Sequence, residues 1–284
     1  MGDVASRPGP PGPEPGTQRD HDGPAGYVVR PLPANRKVVL DRLFGATRRF
    51  PIHGLVELDV EQARSAIAAS DPPVSWTGFV IVTLARAVAH HPEVNARRAG
   101  NRVLYFDRVD VGATVERYGP GGLVLDIAVV READRKSCAE VSEELRQAKH
   151  GSARQLTRRG RVATQVWRLP GPVRRSLVRL ASTRPRIAAT FGPAVGVTSL
   201  GMFGHGGGWA IALSPLTLIA TVSGVVERPV VRDGSIVVRP MLPLTLTFDH
   251  AVVDGGPAAR FVETLRELTE TAAAFEATRA RSVP

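Results

Sequence analysis

The stretch of residues 244–261 constrains the fold most, because the spacing of its apolar residues changes from that of a strand to that of a helix. Leucines alternate with threonines up to Phe248, which predicts a half-buried strand. Pro257 opens a helical pattern that continues through Leu268, with proline in the first turn. A tight turn that contains His250 joins the two. The sequence therefore predicts this histidine at a strand end, facing the loops where ligands bind.

The same residues carry a resemblance to a known family. From Phe248 to Phe261 the chain reads Phe-Asp-His-x-Val-Val-Asp-Gly-x-Pro-Ala-Ala-Arg-Phe, which closely resembles the active-site signature of the dihydrolipoamide acyltransferases of 2-oxo-acid dehydrogenase complexes. The chloramphenicol acetyltransferases share its His-x-x-x-Asp-Gly core. This resemblance implies acyl transfer that depends on coenzyme A (CoA), with His250 as the general base and Asp254 in a structural role. Gly255, the next residue, is expected to let a substrate approach closely.

Two further regions are similar to these families. Residues 196–204 resemble the second signature, a strand that ends in a hydroxyl residue and is followed by a glycine-containing loop. By position, Thr198 matches the serine or threonine that hydrogen-bonds the tetrahedral intermediate, and Ser199 is the fallback candidate. Arg36 falls where the chloramphenicol acetyltransferases place an arginine that pairs with the motif's aspartate, so the resemblance implies that it holds Asp254. An exposed helix arginine is the alternative interpretation of Arg36.

The glycine-rich loop that follows contains two weak candidates for a substrate or CoA channel. Trp209 could line such a channel. His205 lies among glycines, and we interpret it as a loop residue rather than a second base. The loop lacks the Gly-Lys-Ser/Thr pattern of a phosphate loop.

The resemblance also implies a fold that periodicity alone does not reveal. It is an α/β fold, the two-layer chloramphenicol acetyltransferase-like sandwich, in a homotrimer with the active site at the subunit interface. His250 of one chain would face Thr198 of the next. Residues 27–284 are expected to form this acyltransferase catalytic domain, because the predicted helices and strands follow the family's order. Whether trimers would assemble into larger cages stays open.

Two segments differ from that domain. Residues 1–26 are rich in proline and glycine and poor in large apolar side chains, which predicts a disordered tail with no room for a lipoyl domain. Residues 151–189 are predicted to be a basic insertion, since the sequence has no acidic residue between Glu144 and Glu227. Three interpretations of this segment are a rim for CoA phosphates, a docking face for an anionic lipid or acidic protein, and a solvated helix over an apolar surface.

Composition limits the other classes of function. The net charge of +10 permits nucleic-acid binding, but the chain has few aromatic residues and no recognition motif. It has no apolar run long enough for an integral membrane segment and no secretory signal. The single cysteine, Cys138, excludes an internal disulfide and multi-cysteine metal sites. These features predict a cytoplasmic protein without a metal, and the preference for arginine over lysine is typical of GC-rich bacterial coding.

Three functions are consistent with these residues. The first is a stand-alone acyltransferase that moves an acyl group from acetyl-CoA or another acyl-CoA to a small-molecule hydroxyl, for example in natural-product biosynthesis. The second is a dihydrolipoamide S-acyltransferase core of a 2-oxo-acid dehydrogenase complex, with no lipoyl group bound covalently to this chain. The third is a non-catalytic scaffold of the same fold. Intact His250, Asp254 and Thr198 weigh against the third.

Overall fold

The computed structural model describes residues 34–47, 49–119, 122–150, 169–200 and 207–275. The chain divides into two units, residues 1–40 and 41–284, and the division falls within the first helix. The sheet and all later helices belong to the second unit. The predicted tail of residues 1–26 lies outside the described residues.

The strands are β1 (Pro51–Asp59), β2 (Ala96–Ala99), β3 (Arg102–Tyr105), β4 (Val111–Gly119), β5 (Gly122–Val130), β6 (Val195–Ser199), β7 (Leu218–Val222), β8 (Val226–Arg232) and β9 (Ser235–Asp249). The helices are α1 (Ala34–Ala46), α2 (Glu61–Ala68), α3 (Trp76–His90), α4 (Cys138–His150), α5 (Gly171–Ser182), α6 (Pro185–Ala188) and α7 (Gly255–Glu270). Strand β9 and helix α7 lie where residues 244–261 predict a strand followed by a helix.

Within the described residues, seven strands form one mixed sheet in the order β1-β9-β7-β6-β4-β5, and β8 pairs with β9 beyond the end of β7. The pairs β4–β6 and β6–β7 are parallel, and the other pairs of this sheet are antiparallel. Strands β2 and β3 form a separate ribbon. This register places β9, which leads into His250, between β1 and β7.

Helices α3 and α7 pack on one face of this sheet and form the second layer. The leucines of β9 meet Val80 and Leu84 of α3 and Leu265 of α7 in one apolar cluster. Phe248 and Phe261 meet edge to face, with ring centroids 5.7 Å apart. The predicted two-layer α/β architecture is therefore confirmed.

Strand β9 differs from the prediction on one point. Its threonines were expected on a solvated face, yet Thr245 and Thr247 are both buried. The strand has neighbours on both sides, and the imidazole of His53 on β1 hydrogen-bonds the Thr247 hydroxyl at 2.9 Å. The strand is thus buried on both faces rather than half-buried.

Local signals in the sequence produce the expected turns and caps. Asp233 and Gly234 have φ angles of 50° and 77°, which suits the two-residue turn between β8 and β9. At the start of α4, the Glu140 amide donates to the Ser137 hydroxyl at 3.2 Å and the Glu140 carboxylate accepts from the Ser137 amide at 2.7 Å. The spacing Ser137-x-x-Glu140 predicts such a capping box, and the two hydrogen bonds confirm it.

Candidate functional site

His250 lies in the turn that joins β9 to α7. Its amide donates to the Phe50 carbonyl at 2.7 Å, which ties the turn to the residue before β1. The amides of Val252 and Val253 both donate to the Asp249 carbonyl, at 2.9 and 3.0 Å. The side chain of His250 is 47% exposed. The backbone therefore holds this imidazole at a fixed place on the surface of the second unit.

A buried ion pair anchors this turn, and the sequence did not reveal it. The Arg49 guanidinium donates from Nη1 to Asp249 Oδ2 at 2.5 Å, and the Asp249 side chain is fully buried. The other oxygen of Asp249 accepts from the Ala251 amide at 3.2 Å and from the Phe50 amide at 3.4 Å. One carboxylate thus holds together the segment before β1 and the turn that carries His250.

Asp254 also contacts the imidazole directly. Its Oδ1 lies 3.4 Å from Nδ1 of His250, and its side chain is 82% exposed. This contact favours the tautomer with the proton on Nδ1, which leaves Nε2 as the proton acceptor. Because the pair faces solvent, its contribution to stability is small. The predicted partner of Asp254, Arg36, has its side chain outside the described residues.

Thr198 lies in a row of threonines that crosses three strands. In the register of the sheet it stands opposite Thr221 on β7, which in turn stands opposite Thr245 on β9. Thr221 and Thr245 are 1% and 0% exposed, and their hydroxyls have no hydrogen-bond partner among the described residues. The row runs along the face of the sheet opposite α3 and α7, because Thr245 alternates with core-facing leucines.

One chain does not bring His250 and Thr198 together. Thr198 is level with Thr245, which is five residues before His250 and two strands away from Thr198. At about 3.4 Å per residue and about 4.8 Å per strand, the two Cα atoms are on the order of 19 Å apart. A proton acceptor and an oxyanion donor must both lie about 3 Å from the reacting group. A site that uses both residues therefore needs a second copy of the chain.

The remaining candidate site residues differ in their surroundings. Ser199 points to the opposite face of β6 from Thr198, since successive side chains alternate, so it does not occupy an equivalent position. Gly255 begins α7, and a Cβ at this position would meet no heavy atom within 4 Å. Trp209 is 42% exposed, and its indole donates to the Val56 carbonyl at 3.2 Å. His205 lies outside the described residues.

A second arginine missed by sequence analysis shapes the approach to β6. Arg97 on β2 is buried, and its guanidinium donates to the carbonyls of Ala188, Gly192 and Pro193. Burial, together with the charge of Arg49, lowers the pKa of Arg97 to about 10. The guanidinium remains charged at neutral pH and fixes the segment that leads into the strand of Thr198.

Neither a metal centre nor a membrane span is found in the described part of the chain. No three His, Cys, Asp or Glu side chains in that part are grouped as metal ligands would be. No described helix is both long enough and apolar enough to cross a bilayer.

Sequence comparison relates the chain to one family along most of its length. Residues 32–160 and 175–276 match the family described as 2-oxoacid dehydrogenases acyltransferase (catalytic domain). A lipoamide acyltransferase component of the branched-chain alpha-keto acid dehydrogenase complex from Pseudomonas putida is 28% identical over 261 residues, 87% of this chain and 55% of that protein. A dihydrolipoyllysine-residue succinyltransferase component of the 2-oxoglutarate dehydrogenase complex from Haemophilus influenzae is 27% identical over 198 residues, 69% of this chain and 40% of that protein. The chain thus spans about half the length of these relatives.

Structural comparison supports the fold. A probable dihydrolipoamide acetyltransferase from Listeria monocytogenes 4b F2365 superposes with a TM-score of 0.64 at 23% identity. The superposition covers 87% of this chain and 96% of that one. The two chains therefore share the arrangement of sheet and helices described above.

Proposed function

The chain belongs to the family of 2-oxoacid dehydrogenase acyltransferase catalytic domains, and from this premise we propose that it transfers an acyl group between CoA and a thiol of the dihydrolipoamide type. The observation that carries the proposal is the geometry of His250. The turn holds this imidazole by its backbone, and Asp254 contacts Nδ1 and leaves Nε2 for proton transfer. Such a base is what thiol attack on a thioester requires.

The reaction follows from these groups. His250 Nε2 accepts the proton of the attacking thiol, and the thiolate adds to the thioester carbonyl. The hydroxyl of Thr198 donates to the oxyanion of the tetrahedral intermediate, where a hydrogen bond stabilises charge that the ground state lacks. When the intermediate collapses, the departing thiolate takes the proton back from the imidazolium. Thiol and thioester are exchanged, and neither a covalent acyl-enzyme nor a metal takes part.

The relatives favour a thiol acceptor over the small-molecule hydroxyl that the sequence first suggested. The proteins from Pseudomonas putida and Haemophilus influenzae are lipoamide or dihydrolipoyllysine acyltransferase components. A thiol also has a lower pKa than a hydroxyl, so an imidazole base removes its proton more readily. We therefore propose the dihydrolipoyl thiol as the acyl acceptor, and the test below distinguishes it from a hydroxyl acceptor.

The oligomer belongs to the same proposal. Since His250 and Thr198 are on the order of 19 Å apart in one chain, we propose a homotrimer in which each site takes His250 from one protomer and Thr198 from its neighbour. The single cysteine of the chain suits the reducing cytoplasm, where we propose that the reaction takes place.

The test is product analysis by mass spectrometry. Purified protein is incubated with acetyl-CoA or succinyl-CoA and free dihydrolipoamide, beside His250→Ala and His90→Ala, which changes an exposed histidine at the end of α3. We expect S-acyl dihydrolipoamide from the wild type and from His90→Ala, and about 10²- to 10⁴-fold slower formation by His250→Ala. No S-acyl product from dihydrolipoamide, together with acyl transfer to a small-molecule alcohol supplied in its place, would replace the thiol acceptor. Equal rates for wild type and His250→Ala would overturn the general-base role.

A further inference from the structure

Helix α5 shows the reverse of the usual amphipathic arrangement of a surface helix. Val173, Leu177 and Leu180 follow the i, i+4, i+7 spacing of one helical stripe, which normally faces the core. Here they are 48%, 46% and 58% exposed. The buried residue of this helix is Arg174. Of the basic segment 151–189 the structure describes residues 169–189, and there the apolar stripe of α5 faces outward rather than covering an apolar surface of the chain.

Contacts with α1 fix this rotation of α5. Arg174 pairs with Asp41 at 2.5 Å, and the two side chains are only 10% and 12% exposed. Arg175 reaches the other oxygen of the same carboxylate at 3.2 Å. Its guanidinium also stacks 3.8 Å above the ring of Phe44. Turning the apolar stripe inward would break these contacts, so the outward stripe is a consequence of the fold.

The surroundings of the stripe are basic. The sequence has no acidic residue between Glu144 and Glu227, and α5 lies within this interval. Arg179, one turn after Arg175, is exposed beside the stripe, and Arg184 and Arg186 follow in exposed positions. Ile187 and Phe191 then add partly exposed apolar side chains. An outward apolar stripe bordered by arginines is typical of helices that lie in the plane of a membrane interface.

We propose that the α5 face, defined as Val173, Leu177, Leu180 and Arg179, binds an anionic lipid surface. The apolar stripe would enter the boundary between headgroups and acyl chains, while Arg179 would contact the anionic headgroups. Charge argues against pairing of this face with itself in a second copy, since two such faces would bring arginine against arginine. Packing against a different face of a neighbouring copy is an outcome of the test. The match to the acyltransferase family omits residues 161–174, which include the first turn of α5. Of the α5 face only Val173 lies in that gap, and Leu177, Arg179 and Leu180 fall within the match. None of the four is a residue of the proposed acyl-transfer site, so lipid binding and acyl transfer are measured separately.

The test is sedimentation of the full chain with lipid vesicles. We expect binding to vesicles of phosphatidylglycerol mixed with phosphatidylcholine that is about tenfold stronger than binding to phosphatidylcholine alone, and that weakens with added salt. A Leu177→Asn/Leu180→Asn variant should lose about tenfold in this binding, because two apolar side chains no longer enter the interface. The matched control, Val231→Asn/Ile236→Asn, changes two exposed apolar residues of the β8–β9 hairpin and should bind like the wild type.

Two results would overturn the proposal. The first is equal sedimentation with the two kinds of vesicle. The second is a lower oligomer mass for Leu177→Asn/Leu180→Asn in light scattering, which would make the α5 face an interface between copies of the chain. A circular dichroism spectrum equal to that of the wild type is required of each variant, so that loss of binding is not loss of fold.

Discussion

At the residue scale, the pair of Arg49 and Asp249 has the largest expected effect. Replacing Arg49 by alanine leaves a fully buried carboxylate without its cation. Such a loss costs about 3 kcal/mol of unfolding free energy. The turn would also shift His250, and misplacement of about 1 Å lowers turnover by about 10²-fold. Denaturant unfolding and the dihydrolipoamide assay measure the two effects.

Two controls accompany that variant. Arg49→Lys keeps the charge and should recover part of both the stability and the rate. Arg64→Ala removes an exposed arginine that pairs with Glu61 and Glu227, and little change is expected. If Arg49→Ala proved as stable and as active as Arg64→Ala, the ion pair would not be what holds the turn.

Thr245 allows a prediction of the opposite sign. Its hydroxyl is fully buried and has no partner among the described residues, so Thr245→Val removes an unsatisfied polar group. We expect unfolding free energy to rise by about 1 kcal/mol. Thr217→Val is the matched control, because the Thr217 hydroxyl donates to the Ala96 carbonyl at 2.5 Å and its loss should destabilise. A loss of stability in Thr245→Val would mean that water or a neighbouring chain satisfies this hydroxyl.

Sequence reasoning reached some of these residues and missed others for a physical reason. His250 and Asp254 are four residues apart, so a local motif contains both. Arg49 and Asp249 are separated by 200 residues and meet only because β1 and β9 pair with Pro51 opposite Asp249. Their contact becomes predictable only once that register is known. The distance between His250 and Thr198 depends on register in the same way.

At the element scale, the docking of α4 can be tested through the single cysteine. Cys138 begins this helix and is buried, and burial raises the pKa of its thiol from 9.0 to about 11. At pH 8 the folded protein should react with a thiol reagent only after α4 opens. The denatured chain, which has one cysteine, should react with one equivalent of the reagent. Rapid reaction of the native protein in the absence of denaturant would contradict the described packing.

The same thiol predicts a trend of stability with pH. Between its ordinary pKa of 9.0 and the folded value of about 11, the unfolded chain loses a proton that the folded chain keeps. The unfolded state therefore binds fewer protons in this range, and stability falls as pH rises through it. Cys138→Ala should show a shallower fall than the wild type in denaturant titrations across these pH values. Identical slopes would contradict the shift.

Helices and strands were predictable wherever one periodic pattern covers a whole element. The capping box before α4, the turn at Asp233 and the start of α7 all match the structure, because each depends on neighbouring residues. The orientation of α5 was not predictable. Its apolar spacing indicates an inward stripe. Contacts with α1 turn that stripe outward, among them the pair of Arg174 with Asp41, 133 residues earlier in the chain.

At the scale of the whole molecule, the proposed activity depends on sites shared between copies of the chain. The sheet fixes His250 and Thr198 far apart in one chain. His250→Ala lacks the base and Thr198→Ala lacks the oxyanion donor, so each variant should be nearly inactive alone. Loss of an oxyanion donor costs about 10²- to 10³-fold in turnover. Each variant nevertheless retains the residue that the other lacks. A mixed trimer can therefore contain intact sites even though neither parent has one.

Subunit mixing is the measurement that tests this claim most directly. The two variants are unfolded together in equal amounts, refolded, and assayed for acyl transfer from acetyl-CoA to dihydrolipoamide. In a ring assembled at random, each site takes one residue from each of two neighbouring protomers, and each protomer is of the required variant half of the time. About one quarter of the sites therefore contain both His250 and Thr198, and about one quarter of wild-type activity should return. Each variant refolded alone should stay inactive. A mixture that forms mixed oligomers by mass yet stays inactive would contradict a site built from two copies of the chain.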